Sequence, residues 1–471
     1  MVEPNPSFKP TLGLFDATML VAGSMIGSGI FIVSSDIARN TGSAGWLVLV
    51  WIITGFMTLT AALSYGELSA MYPKAGGQYV YLKEAYNPLV SFLYGWSFFT
   101  VIQTATIAAV GVAFAKFTAY IFPVFSEDLI AFDLGILQVS SAQLLSIVVI
   151  ALLTYINTRG VHGGKVIQTT FTLTKILSLL GLILFGLLYM KPEIWDANWH
   201  SRASWELQGL DRDGTIASYT VIAALGAIAA AMVGSIFSSD AWNNVTFIAG
   251  EIKNPQRNIG LALGLGTLIV TVIYVLTNIT YTGLLSMTDI ASANKDRVAI
   301  SAANEIFGTA GTVVIALMIM ISTFGCNNGL IMSGARVYYS MAKDGLFFKK
   351  VGDLNKNSVP GFGLWVQCII ACAWCLSGKY GDLLDMISFV VVFFYMLTIA
   401  GIFILRKQKP DAPRPYKAFG YPFLPLIYMV MGTAFCTLLI IYKPEYTWPG
   451  LIIVLLGIPV YYLIRKKTLK A

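Results

Sequence analysis

A chain of 471 residues that is 56% hydrophobic and only 12% charged, with a mean hydropathy of +0.72, is too apolar for a water-soluble globular protein. The net charge of +7 does not point to nucleic acid, because the basic residues are strung between apolar segments and not gathered on one domain. The composition is that of a polytopic protein of the lipid bilayer.

The opening residues MVEPNPSFKP are polar, with no basic leader and no small-residue cleavage motif, so no signal peptide is expected. Windows of about 20 apolar residues then predict twelve spans, at 12–39, 45–72, 88–122, 139–158, 163–190, 217–250, 260–285, 309–342, 360–378, 382–405, 420–442 and 447–464. With the N-terminus inside, about 20 Lys and Arg fall in cytoplasmic segments and about 8 outside. Both termini are therefore expected in the cytoplasm. Segment 191–216 is too short for a domain of its own, so one all-α transmembrane domain is expected over 1–471.

The first span contains GSMIGSGIF at 23–31, with Gly23, Gly27 and Gly29 at mid-membrane. Each glycine costs about 1 kcal/mol relative to alanine in a helix interior, where lipid offers the backbone no alternative partners. A helix broken there frees the N–H groups of Ser28, Gly29 and Ile30, which with the positive helix end suit a carboxylate. Carbonyls freed around Met25 and Ile26 suit an ammonium group. A free amino acid carries both. Gly23 and Gly27 alone would also fit a small-residue packing face, but Gly29, Ser24 and Ser28 go beyond it.

In the fifth span, Lys175 of TFTLTKILSLLG is predicted about 18 Å along the helix from its cytoplasmic start. A cation at that depth is costly and points to function. Lys116 and Arg336 lie near span ends and are expected to snorkel.

The sixth span is interrupted by GSIFSSDAWNN at 234–244. Matching interruptions in the first and sixth spans mark the midplane site of transporters built from two five-span halves. The halves are expected at 12–190 and 217–405, with 420–464 as two extra spans. The carbonyls of Ser235, Ile236 and Phe237 can also face an ammonium group. Phe237 fits a lid or a packing ring, while Asp240 fits a cation partner, a ligand for the substrate amine, or the cap of a second half-helix.

Enzyme chemistry has little to stand on: there is no HExxH motif, no histidine in a predicted span and no paired carboxylates at membrane depth. Cys326, Cys368, Cys372, Cys375 and Cys436 all fall in apolar segments and are expected to pack, not to bind a metal or form disulfides. No cofactor is implied.

Several stretches carry a resemblance: GSMIGSGIF followed by TGSAGW, LSYGELSAMYPKAGGQYVYLKEAY after span two, FSSDAWNNVTFIAGEIKNPQRNIGLAL through span six, and RPYK before span eleven. On these the chain resembles prokaryotic-type members of the L-type amino acid transporter branch of the amino acid-polyamine-organocation superfamily. The resemblance implies a LeuT-type five-plus-five inverted repeat in the cell membrane. It implies sodium-independent transport of amino acids by alternating access, as an exchanger of neutral L-amino acids or, alternatively, a proton-coupled symporter using Lys175. It also implies that the backbone from Ile26 to Ile30 holds the substrate carboxylate and that Phe237 is the gate. Ser238, Ser239, Asp240 and Asn243 would line the site, and Lys175 would stand near the ion position of sodium-coupled relatives. Ser239 replaces the family's usual aromatic and Gly260 its usual proline. The external loop 123–138 lacks the cysteine that joins some animal members to a glycoprotein, so no disulfide-linked heavy subunit is expected.

Overall fold

The computed structural model describes residues 10–133, 138–377 and 380–468. Among them, eleven helices are long and apolar enough to cross a membrane, and the shorter apolar helix Gly361–Leu376 makes a twelfth in sequence order. The twelve predicted windows each meet one of them. The N-terminal tail and the last three residues, on which the assignment of the termini partly rests, lie outside the described residues.

Helix starts follow local chemistry. Asn87 caps the third span, accepting the Val90 N–H at 3.0 Å, with Pro88 at the first helical position. Ser140 and Gln143 form a capping box at the fourth, and Thr220 caps the sixth. Polar connections add what the windows did not contain: a helix at Gln78–Ala85, another at Pro192–Trp199, and two small antiparallel hairpins, Ile130–Asp133 with Gln138–Ser140 and Gln208–Leu210 with Ile216–Ser218. The eighth span, Val298–Lys343, is two helices that meet at a kink at Gly308, whose φ of +65° disfavours any other residue. The predicted window, 309–342, begins directly after that kink.

The first and sixth spans are both broken. The first runs as Leu14–Met25, restarts at Gly29–Ile32 and continues as Ser34–Thr41. The sixth is helical over Val221–Ser238 and resumes only as the single turn Asn244–Phe247, with Ala241 between them at a left-handed φ of +63°. The third span carries a π-helical turn at Phe98–Ile102, the type of insertion found mostly at functional sites.

The two ends of the bundle differ. At the end bearing loop 123–138, a vestibule of about 780 Å³ descends to Val33, Val233 and Gly234 and is rimmed by both signs of charge, among them Asp36, Lys116 and Lys443. Lys295 donates to the exposed Asp128 carboxyl at 2.6 Å on this rim and holds it below its ordinary value. The opposite end is closed by ion pairs. Glu67, buried at the end of the second span Ala44–Met71, takes Arg406 of the tenth span (Tyr380–Gln408) at 2.6 Å and Arg414 at 3.3 Å, and accepts the Ala418 N–H. Leu12 pairs as an isolated strand with Ile252, just past the sixth span.

Arg336 does not snorkel. It is 1% exposed and pairs with the buried Glu251 at 3.0 Å, joining the eighth span to the segment after the sixth. The helix there runs inside the bundle, with no path from the side chain to an interface. Breaking such a pair costs about 3–5 kcal/mol, whereas replacing both partners by apolar groups is often near neutral. Arg336→Met should therefore lower the thermal unfolding midpoint of the purified protein markedly, and Glu251→Leu with Arg336→Met should recover most of the loss. Additive losses in the double variant would contradict this reading.

Candidate functional site

The breaks of the two spans meet. A Cβ placed on Gly29 would lie 1.9 Å from the Ser238 Oγ and 3.1 Å from the Ser238 Cα, so only glycine fits there. The Phe31 N–H at the start of the helix Gly29–Ile32 bonds the Ser28 carbonyl at 3.1 Å, and the N–H groups of Gly29 and Ile30, which precede the first intrahelical bond, stand against the C-terminal end of Val221–Ser238. Met25, Ile26, Gly27, Ser28, Gly29 and Ile30 are all buried, as are Phe237, Ser238, Ser239, Asp240 and Asn243. Phe237 lies one turn below Val233 on the same helix face, between the vestibule floor and the break. That is where a lid would have to sit.

The other two glycines of the motif serve packing. Gly23 faces the fifth span, where a Cβ would come within 2.0 Å of the Thr172 Oγ1, and Gly27 faces the Cys326 Sγ of the eighth at 3.0 Å. Small residues there let three helices approach closely. Gly23 and Gly27 thus take the packing face that the sequence allows, while Gly29 stands at the break.

Lys175 is fully buried at mid-helix in the fifth span, Val161–Leu188. Its Nζ donates to the Gly23 carbonyl at 2.5 Å, the Ile26 carbonyl at 2.6 Å and the Ser322 carbonyl at 3.3 Å. Three N–H donors meet three carbonyls, two from the broken first span and one from the eighth. An ammonium group has three donors and no acceptor, so this cradle fits the charged form. The Ile26 carbonyl, read from sequence as an acceptor for a substrate amine, is thus already engaged.

Tyr274, in the seventh span Pro255–Leu284, was not singled out by sequence. Its hydroxyl stands 3.0 Å from the Met25 carbonyl and 3.0 Å from the Ser238 carbonyl, so one group touches both breaks. Tyr281, two turns on, donates to the Ile30 carbonyl at 3.3 Å, and Asn278 accepts from Ser34 at 2.7 Å. The seventh span therefore satisfies backbone groups that the first span leaves open. A tyrosine in an apolar window carries no mark of this in the sequence, because many others here merely pack.

Asp240 is 9% exposed and does not cap the second half-helix: its carboxylate accepts from the Tyr395 hydroxyl of the tenth span at 2.5 Å. The turn Asn244–Phe247 has Asn243 at its cap position without a side-chain hydrogen bond. Asn243 instead donates to Gln78 at 2.9 Å, and Gln78 donates to Thr398 at 3.0 Å, tying the break to the tenth span. Among the described residues no group of three or more His, Cys, Asp or Glu could hold a metal ion.

The amino acid permease family pattern matches residues 12–461. The chain is 28% identical over 460 residues to the Homo sapiens large neutral amino acids transporter small subunit 2, covering 97% of this chain and 81% of that protein. It is 28% identical over 467 residues to the serine/threonine exchanger SteT of Bacillus subtilis (strain 168), covering 98% of each. It is also 27% identical over 461 residues to the Mus musculus b(0,+)-type amino acid transporter 1, covering 97% of this chain and 88% of the relative.

Proposed function

Because the chain belongs to the amino acid permease family, we propose that it exchanges neutral L-amino acids across the cell membrane by alternating access, without sodium. It is a multi-pass membrane transporter of amino acids and not an enzyme. In this reading both termini are cytoplasmic, the vestibule opens outward, and residues 12–190 and 217–405 form the two inverted halves, followed by 420–464.

The substrate carboxylate lies on the backbone from Gly27 to Ile30, and the ammonium group lies toward the break of the sixth span. Phe237 covers the substrate while Ser238, Ser239 and Asn243 bound its side chain. Two small residues, Ser238 and Ser239, the second where the family usually has an aromatic, leave room for varied neutral side chains. Loop 123–138 has no cysteine, so no disulfide-linked heavy subunit is part of this reading, although one of the relatives is named a small subunit.

The observation that carries the proposal is the cradle around Lys175. A tethered cation on carbonyls of spans one and eight does the structural work that a bound sodium ion would do between the same helices. The same cradle weighs against the proton-coupled alternative, since losing a proton would leave one of three carbonyls without a donor. The test is uptake of labelled L-threonine and L-leucine by purified protein in proteoliposomes, with choline replacing sodium. Unchanged rates are expected; stimulation by sodium would overturn the proposal.

A further inference from the structure

Asp240 is a buried carboxylate without a cation. Two small cavities flank it, one lined by Gln78, Tyr94, Gln103, Asn243 and Tyr395, the other by Thr58, Ser239, Trp242, Tyr395 and Tyr428. No Lys, Arg or His lines either. The titratable groups facing it from the surrounding elements are Tyr395 of span ten, Tyr94 of span three and Tyr428 of span eleven, with Tyr65 of span two behind Tyr395 at 5.8 Å between ring centroids. Cys326 of span eight is a further titratable group within reach of the Asp240 charge. The hydrogen bonds reaching the carboxyl come from the Tyr395 hydroxyl and the Ala241 N–H.

An ionised carboxylate with two neutral donors and an aromatic surround is poorly compensated. A positive partner must be supplied when the substrate is present and replaced when it is not. The nearby carbonyls are less available to an arriving ammonium group, because those of Met25 and Ser238 share the one proton of the Tyr274 hydroxyl and those of Gly23 and Ile26 already meet Lys175. Lys175 itself is held in a cradle of its own. Among the described residues lining these cavities, Asp240 is the one carboxylate, and it remains to be neutralised.

We propose that Asp240 holds a proton while the site is empty and yields it to water when the substrate's ammonium group takes its place, so that proton and substrate compete for one carboxylate. The exchange balances in charge: a neutral carboxylic acid and a free ammonium become an ion pair, and one proton leaves to solvent. The inference rests on the amino acid site proposed above. Its consequence is that the empty carrier crosses with a neutral Asp240 and the loaded carrier with a paired one, so neither state buries an unpaired charge at this position.

The test is calorimetric titration of the purified full-length protein with L-threonine, and with L-leucine as second probe, in two buffers of different ionisation enthalpy. Substrate binding should release up to about one proton per molecule, and affinity should fall as pH is lowered, by up to about tenfold per unit. Asp240→Asn should bind without releasing protons. Tyr395→Phe, which removes a donor to the carboxylate and so favours its protonated form, should keep the release and move it to higher pH. Binding without proton release by the unmodified protein would overturn the proposal. So would equal release by Asp240→Asn, or an unmoved pH profile in Tyr395→Phe. Failure of the exchange reading would show differently, as equal uptake into loaded and empty vesicles with proton release on binding intact.

Discussion

Gly29→Val is expected to abolish transport while the protein still reaches the membrane in normal amount. The glycine sits where the restarted first span meets the end of the first half of span six, and any Cβ there falls within 1.9 Å of the Ser238 Oγ and 2.6 Å of its Cβ. The backbone of Ser238 is as close as 3.1 Å, so moving one side chain is not enough. A β-branched residue would wedge the two breaks apart and cover the N–H groups assigned to the substrate carboxylate. Losing two charge-assisted hydrogen bonds, at about 1.5–3 kcal/mol each, amounts to a loss of roughly 10²–10⁴ in affinity. Uptake per membrane-inserted molecule measures it. A Gly29→Val protein with normal uptake would remove the carboxylate from these N–H groups. Gly23→Ala should be milder than Gly29→Val but not silent, because the contact with Thr172 predicts a partial loss through packing of spans one and five.

Lys175→Met is the second large effect. Methionine keeps the length of the side chain and removes all three donors, leaving the carbonyls of Gly23, Ile26 and Ser322 facing an apolar thioether. Each buried acceptor left without a partner costs about 1–3 kcal/mol, and these three join the broken span one to span eight. Transport should fall by at least about a hundredfold, which is about 2.7 kcal/mol. Lys175→Arg should not rescue it, because a planar fork does not match three carbonyls converging on a point. Initial uptake rates of the two variants decide the matter. Activity near that of the unmodified protein in Lys175→Met would show that the cradle is dispensable.

The sequence shows these two positions for physical reasons that apply before folding. Glycines at membrane depth and a lysine at mid-span both conflict with the lipid environment, and such conflicts mark sites. The same reasoning puts the breaks at Gly27–Gly29 and within 234–244, and the helices stop at Ile26–Ser28 and Ser239–Asn243. It does not find Tyr274 or Tyr395, whose roles come from facing the breaks across the bundle, a property of tertiary packing alone. It misjudges Arg336, since position along a span says how far a side chain lies from the interface but not whether Glu251 waits beside it. Nor does it find the π-helical turn at Phe98–Ile102, because FFTVI is as apolar as any helical turn and only hydrogen bonding distinguishes it. The capping role open to Asp240 gives way to Tyr395 because the second half-helix begins only at Asn244, too far along for Asp240 to be its cap.

Obligatory exchange follows from the same geometry. With Lys175 tethered, no sodium ion is carried, and the return of an empty site must cross an occluded state in which the N–H groups of Gly29 and Ile30 have lost the substrate carboxylate. At about 1–3 kcal/mol for each unsatisfied buried group, the loaded return is faster by at least about tenfold, since 1.4 kcal/mol is already a factor of ten. The direct measurement is the initial uptake of labelled L-threonine by proteoliposomes preloaded with unlabelled L-threonine, against empty ones at the same pH on both sides. Uptake at least about tenfold faster into the preloaded vesicles is the result predicted; equal rates in loaded and empty vesicles would contradict exchange at the broken helices.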